Sequence, residues 1–333
     1  MIISRTPLRI SFFGGGTDYP AFYQEHGGAV LSTTINKYCY IICRYLPPFF
    51  DYNYRIRYTR REETKTIAEI RHPSVRECLK FVDLGSRGVE IQHNADLPSM
   101  SGLGSSSAFT VGLLNALHAL KGQMITKRQL ALDAIHIEQE KIKENVGSQD
   151  QTAVAFGGFN KIEFGGLRKI WVQAITIEQG KQDFLQQHFM LFFAGFPRNA
   201  SDIAGEQIRK TPDNIEELKQ MKAMVGQGIE ILNGRPEDFG DFGRLLDAAW
   251  VLKRGLTNSI TSPAIDEIYN AAKEAGALGG KLLGAGGGGF MLFFVPPELR
   301  QKVRDRLSKL LYVPFAFHDM GSQIVYYAPE DNY

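Results

Sequence analysis

Between Pro98 and Ala108 the chain reads Pro-Ser-Met-Ser-Gly-Leu-Gly-Ser-Ser-Ser-Ala, and only Met100 and Leu103 carry a sizeable side chain after the proline. So little bulk lets the backbone come close to a large anion, and successive free N–H groups form a concave donor surface for phosphate oxygens. Directly behind the run, Phe109, Leu113, Leu117 and Leu120 recur at helical spacing before Gly122, which predicts a loop that opens a helix. A helix N-terminus attracts anions through unpaired N–H groups and the positive end of its dipole. Pro98, Ser101, Gly102, Leu103, Gly104, Ser105, Ser106 and Ser107 are therefore the candidate phosphate cradle. The common P-loop needs Lys and then Ser or Thr after its last glycine; Ser105, Ser106 and Ser107 stand here instead. The plain alternative is a capped helix after a flexible turn.

A length of 333 residues suggests two domains at roughly 100 to 200 residues each. The formal net charge of +2 creates no field that would draw nucleic acid or an anionic membrane. Cys39, Cys43 and Cys78 give neither an even disulfide framework nor a zinc spacing, so reduced thiols in a cytoplasmic protein are expected. No apolar run approaches the roughly 18 residues of a membrane span. Small molecules are the expected partners.

Residues 1–13 read as a strand carrying Arg9, broken by Gly14-Gly-Gly16, and Asp18 follows as a turn residue or a hydrogen-bond acceptor. Residues 28–45 are rich in β-branched and aromatic side chains and predict paired strands. Arg55, Arg57, Arg60, Arg61 and Lys65 read as a solvated hairpin balanced by Glu62 and Glu63. Thr126-Lys-Arg-Gln129 has capping-box form and opens a helix through about Glu144. On that helix Glu138 falls on the buried stripe, where a carboxylate is costly unless a cation or donors meet it. Magnesium, held by Ser106 and Glu138 with phosphates and water, would supply a hard cation; a surface pair of Glu138 with Lys141 is the alternative. Asp150 reads as the N-cap of a short helix over 151–156, and residues 158–177 as a hairpin.

The polar Gly180-Lys-Gln-Asp suggests a boundary near 185, giving domains 1–185 and 186–333. Beyond it come a strand at 188–194, helices near 199–210, 213–233, 236–253 and 263–275, a strand near 278–283, a glycine loop and a strand over 290–295. A helix and closing strand segments complete a β-α-β-β-α-β order, which fits a ferredoxin-like layer. Gly284-Ala-Gly-Gly-Gly-Gly289 leads into a strand-like run, so a Rossmann turn is rejected in favour of a tight hairpin. Arg198, Lys253, Arg254 and Lys281 are candidates to hold a substrate phosphate, none singled out by spacing.

The glycine motifs at 14–16, 102–104 and 284–289, in this order, resemble those of the GHMP kinases (galactokinase, homoserine kinase, mevalonate kinase and phosphomevalonate kinase) over nearly the whole chain. Within the family, Gly-Gly-Gly-Thr-Asp-Tyr19 together with Glu-Asn-Val-Gly-Ser-Gln-Asp-Gln151 is most similar to the heptose 7-phosphate kinases of bacterial surface-glycan pathways. The resemblance implies an α+β fold, with an N-terminal domain like domain 2 of ribosomal protein S5 and a ferredoxin-like C-terminal domain. It implies a sugar kinase using ATP and Mg²⁺ on a sugar phosphate, with a homodimer allowed. On this reading Asp150 is the catalytic base, Arg9 stabilises the transferring phosphoryl group, and Ser106 and Glu138 hold the metal. Gly15, Gly16, Thr17 and Asp18 contact the sugar, and Gly286 and Gly287 approach the site from the third motif. Galactokinase carries Glu-His where Gly15 and Gly16 stand, which leaves room for a different or larger sugar. A fucose-type anomeric kinase and a non-catalytic sensor on the same fold remain the alternatives.

Overall fold

A computed structural model describes residues 1–99, 101–166, 169–196 and 200–329. In chain order its strands are β1 (Ile2–Phe13), β2 (Gly28–Tyr45), β3 (Tyr54–Arg57), β4 (Arg61–Thr64), β5 (Val89–Ala95), β6 (Phe159–Gly165), β7 (Lys169–Ala174), β8 (Phe189–Phe193), β9 (Gly279–Leu282), β10 (Phe290–Phe294), β11 (Leu311–Tyr312), β12 (Phe317–His318) and β13 (Gln323–Tyr327). β8 to β11 form one antiparallel sheet in the order β11-β8-β10-β9, and the other strands form a larger sheet built on β1 and β2. The small sheet has the ferredoxin-like arrangement that the sequence order implies.

β2 is one strand of 18 residues, not the expected pair. Its polar Asn36 and Lys37 fall at a register shift, where Pro7 faces Tyr38 and the next residue, Leu8, faces Ile35. The extra residues bulge and bend the strand without ending it. Such length lets β2 pair with β1 along one edge, and with β6 and then β5 along the other.

The domain boundary also differs from expectation. Gly180-Lys-Gln-Asp183 begins the helix Gln179–His188, which runs into β8 and buries Leu185 and His188. Near the other end, β12 pairs with β2 and β13 with β1, so the last strands complete the first sheet and 186–333 is not one unit. One apolar cluster joins both sheets: the Phe12 ring lies 5.2 Å from that of Phe189 on β8 and 5.4 Å from that of Phe242.

Candidate functional site

The phosphate-loop candidate is built by main-chain contact between two glycine loops. Gly102 has φ +82, and a Cβ there would stand 2.3 Å from the Leu283 carbonyl oxygen; one on Gly284, at φ +77, would stand 2.4 Å from Gly102 Cα. Only glycine on both sides permits that approach. Gly104, left-handed at φ 75, then turns the chain into the helix Ser105–Leu120.

On the outer side of the loop is a groove of about 530 Å³. Pro98, Ser105 and Ser106 line it together with Tyr58, His72, His93 and Phe109. The His72 ring stacks on Phe109 at 4.7 Å and 21°, and burial lowers the pKa of His72 and of His93. These neutral, flat faces suit a planar heterocycle beside a phosphate cradle.

On the inner side Arg9, projecting from β1, holds the loop and Asp150 together. Its Nε and Nη2 each donate to an Asp150 carboxylate oxygen at 2.8 Å, and Nη1 donates to the Gly102 carbonyl at 2.7 Å. A methyl built on Gly104 would stand 3.5 Å from Asp150 Oδ2, so the carboxylate lies directly against the cradle. Asp150 sits in the first turn of the helix Gln149–Phe156, whose N-cap is Ser148 and not Asp150 as expected. Freed from capping, its carboxylate faces a cavity of about 120 Å³ between the two sheets, shared with Arg9, Asp18, Gln149, Lys253 and Lys281.

Asp18 is buried and accepts from the backbone N–H groups of Gly16 at 3.0 Å and Gln149 at 3.4 Å. Burial, reinforced by the neighbouring Asp150 charge, pushes its carboxyl up to about 6. Gly15 and Gly16 line the cavity with it. Thr17 instead spends its hydroxyl on the carbonyls of Gly14 and Ala29 and braces the turn. Gly286 and Gly287 lie outside the cavity lining, where Gly287 N–H binds the Ile260 carbonyl at 3.0 Å; Gly284 and Ala285 face the cavity from that loop.

Glu138 is fully buried, but on a different backbone from the one expected. The α-helix ends at His136 and continues as a π-helical segment, Ile137–Ile142, a wider turn of the kind common at functional sites. Its Oε2 accepts from Ser107 Oγ at 2.9 Å and from the Gln151 amide, while Oε1 has no partner among the described residues. Burial pushes this carboxyl up to about 7; Thr110 lies near enough to moderate the rise, but its own hydroxyl binds the Ser106 carbonyl at 3.4 Å. The hydroxyl that meets Glu138 is thus Ser107, whereas Ser106 is exposed toward the groove. A buried carboxylate oxygen left without a donor fits a hard cation bridging toward the loop. Ser101 is buried behind the loop and its hydroxyl has no partner among the described residues.

Tyr19, Gln149 and Gln207 also line the cavity; Tyr19 and Gln149 stand next to Asp18 and Asp150 in the two quoted motifs, whereas nothing in the sequence marks Gln207. Of the four phosphate candidates, Lys253 and Lys281 line it, Arg254 pairs with Asp266 at 3.7 Å away from it, and Arg198 lies outside the described residues.

The model of the GHMP kinases N terminal domain matches residues 73–158, and that of the GHMP kinases C terminal domain matches residues 229–313. A D-glycero-alpha-D-manno-heptose 7-phosphate kinase of Campylobacter jejuni is 30% identical over 317 residues, covering 92% of this chain and 93% of that protein. An L-fucokinase/L-fucose-1-P guanylyltransferase of Bacteroides fragilis is 24% identical over 97% of this chain and 38% of that longer protein. The crystal structure of a D-glycero-D-manno-heptose 1-phosphate kinase from Bacteroides thetaiotaomicron superposes with a TM-score of 0.76 at 25% identity, covering 97% of this chain and 98% of that one.

Proposed function

This chain belongs to the GHMP kinases and is a sugar kinase that transfers phosphate to an alcohol, and from that premise we propose its acceptor to be the anomeric C1 hydroxyl of D-glycero-D-manno-heptose 7-phosphate. The product would be the 1,7-bisphosphate, made in the cytoplasm for nucleotide-activated heptose and surface-glycan synthesis. The observation that carries the reading is the two-pronged Arg9–Asp150 pair set against Gly102 and Gly104, in a chain 30% identical to a heptose 7-phosphate kinase.

The aromatic groove would hold the base of ATP, and the N–H groups of residues 102–107 its triphosphate. Asp150 holds the acceptor hydroxyl in line and takes its proton as the oxygen bonds to the γ-phosphorus and the bond to ADP breaks. Arg9, two of whose donors fix the Asp150 carboxylate, places positive charge where the transferring group develops its negative charge. Asp18 accepts from sugar hydroxyls. Glu138 and Ser106, the latter at the exposed first turn, would hold Mg²⁺, which would supply positive charge against the triphosphate.

A second reading, a fucose-type anomeric kinase, is favoured by the match to the fucokinase. A coupled ADP-release assay across heptose 7-phosphate, fucose, galactose and mevalonate decides between them. Highest kcat/KM with heptose 7-phosphate, and a new anomeric phosphate signal in ³¹P NMR, is expected. A preference for fucose would replace the heptose assignment.

A further inference from the structure

The acceptor cavity holds two ammonium groups that the transfer chemistry above does not use. Lys253, on the helix Gly240–Gly255, and Lys281, on β9, are both buried and both line the cavity with Arg9, Asp18 and Asp150. Their partners are neutral carbonyls. Lys253 Nζ donates to Leu282 at 3.3 Å and to Gly284, and Lys281 Nζ donates to Ser11 at 3.0 Å and Phe12 at 2.8 Å. Since an ammonium has three N–H donors, each keeps one beyond these bonds.

Charge on the cavity wall is unbalanced in a specific way. Arg9 is matched to Asp150 by two hydrogen bonds, which leaves Asp18 alone against two ammonium groups. Asp18 is itself occupied by the N–H groups of Gly16 and Gln149. Burying cations without an opposing charge is expensive, and the electrostatic cost appears here as a lowered pKa for both lysines, to about 8 for Lys253. A neutral sugar would leave that cost standing, whereas an anion entering the cavity would relieve it.

The two lysines are anchored at different points around the cavity. Arg9 touches the cradle through the Gly102 carbonyl and the Leu103 carbonyl, whereas Lys281 is anchored further along β1, at Ser11 and Phe12. Lys253 is anchored to the carbonyls on either side of Leu283, where the third glycine loop leaves β9 and meets Gly102, so KM for ATP is the readout that tells which phosphate this lysine serves.

We propose that Lys253 and Lys281 form an anion subsite that grips the phosphate the acceptor already carries, and so select sugar phosphates over free sugars. This rests on the reading of the acceptor as a sugar phosphate and names the residues that enforce it. Arg254 plays no part, being committed to Asp266 outside the cavity.

The test measures kcat/KM for matched pairs, heptose 7-phosphate with heptose and mannose 6-phosphate with mannose, alongside KM for ATP. In Lys253→Met the preference for the phosphorylated member should fall about ten- to hundredfold, the size of one lost charge-assisted hydrogen bond, with KM for ATP unchanged. Lys253→Arg, which keeps the charge, should retain most of the preference, and a cooperative thermal melt certifies that each variant is folded. Equal losses on both members of a pair, or a raised KM for ATP, would move the lysines to the transferring phosphoryl group and overturn the proposal. So would a wild-type enzyme that prefers free sugars. A wild-type enzyme that prefers a different sugar phosphate would end the heptose assignment alone, and the lysine comparison on that substrate would still decide this one.

Discussion

Asp150 and Glu138 are both carboxylates beside the glycine loop, yet their surroundings give them different work. Asp150 meets a guanidinium on one side and the cavity on the other, the setting that the proposed general base requires. Asp150→Asn should therefore lower kcat by about 10²- to 10⁴-fold, the usual range for one positioned base, while nucleotide affinity measured by calorimetry stays near that of the wild type. An unchanged kcat would remove Asp150 from the chemistry. Glu138 sits in the protein with one oxygen unpartnered among the described residues, its carboxyl pushed from 4.5 up to about 7 by burial. The folded state thus holds that proton more tightly than the unfolded chain does. Its stabilising contribution is complete below about pH 4.5 and disappears as pH rises through about 7. Glu138→Gln has no charge to bury, so in chelator at pH 8 it should be more stable than the wild type by up to about 3 kcal/mol, with little difference at pH 4. Mg²⁺ should raise the melting temperature of the wild type only. No gain at pH 8 would mean that the carboxylate is already satisfied without a cation.

Elements of regular periodicity could be read directly from the sequence. The helix after the phosphate loop, the 158–177 hairpin and the strand–glycine loop–strand near the end all stand where residue spacing puts them. What escaped was decided by neighbours distant in the chain. A π-turn has no apolar period of its own, so Ile137–Ile142 looked like more α-helix. Gln207 reaches the cavity from the helix Ala200–Arg209 only because that helix docks against the third glycine loop, where its amide donates to the Ala285 carbonyl at 2.6 Å. Arg9 and Asp150 were identifiable by motif, although their mutual pairing was not. The docking of the second glycine loop on the third is the element-scale feature on which the site depends, and Gly102 tests it against Gly122. Both have positive φ, but nothing lies within 4 Å of a Cβ on Gly122. Gly122→Ala should cost about 1 kcal/mol from backbone strain alone. Gly102→Ala adds a main-chain collision, so it should cost at least about twice as much and raise KM for ATP. Equal effects from the two variants would show that the close loop contact is dispensable.

At the scale of the molecule, the cavity that Asp150 faces lies between two sheets that share one core. Phe12 of β1, Phe189 of β8 and Phe294 of β10 meet around Phe242, with Phe317 of β12 against Phe12 and Phe189, so the facing sides of the two sheets share one aromatic core. The last strands tighten this arrangement. The Thr34 hydroxyl of β2 donates to the His318 carbonyl, the Thr6 and Ser322 hydroxyls bond at 2.8 Å, and a Cβ on Gly321 would stand 2.2 Å from the Ala155 carbonyl oxygen. Arg9 and Asp150 are thereby held by the same sheet that the chain's final strands close. A division at residue 185 would expose the aromatic face of β1, and ending the chain at Val313 would leave β1 without β13 and β2 without β12. Exposed aromatic faces and unpaired strand edges favour aggregation over folding. Residues 1–185 alone and residues 1–313 alone should therefore lack the single cooperative melt of the full chain, and neither should bind ATP. A sharp thermal transition with native near-UV circular dichroism from residues 1–185 would establish an independent N-terminal domain, and the cavity would then be an interface between two self-sufficient bodies instead of a cleft in one core.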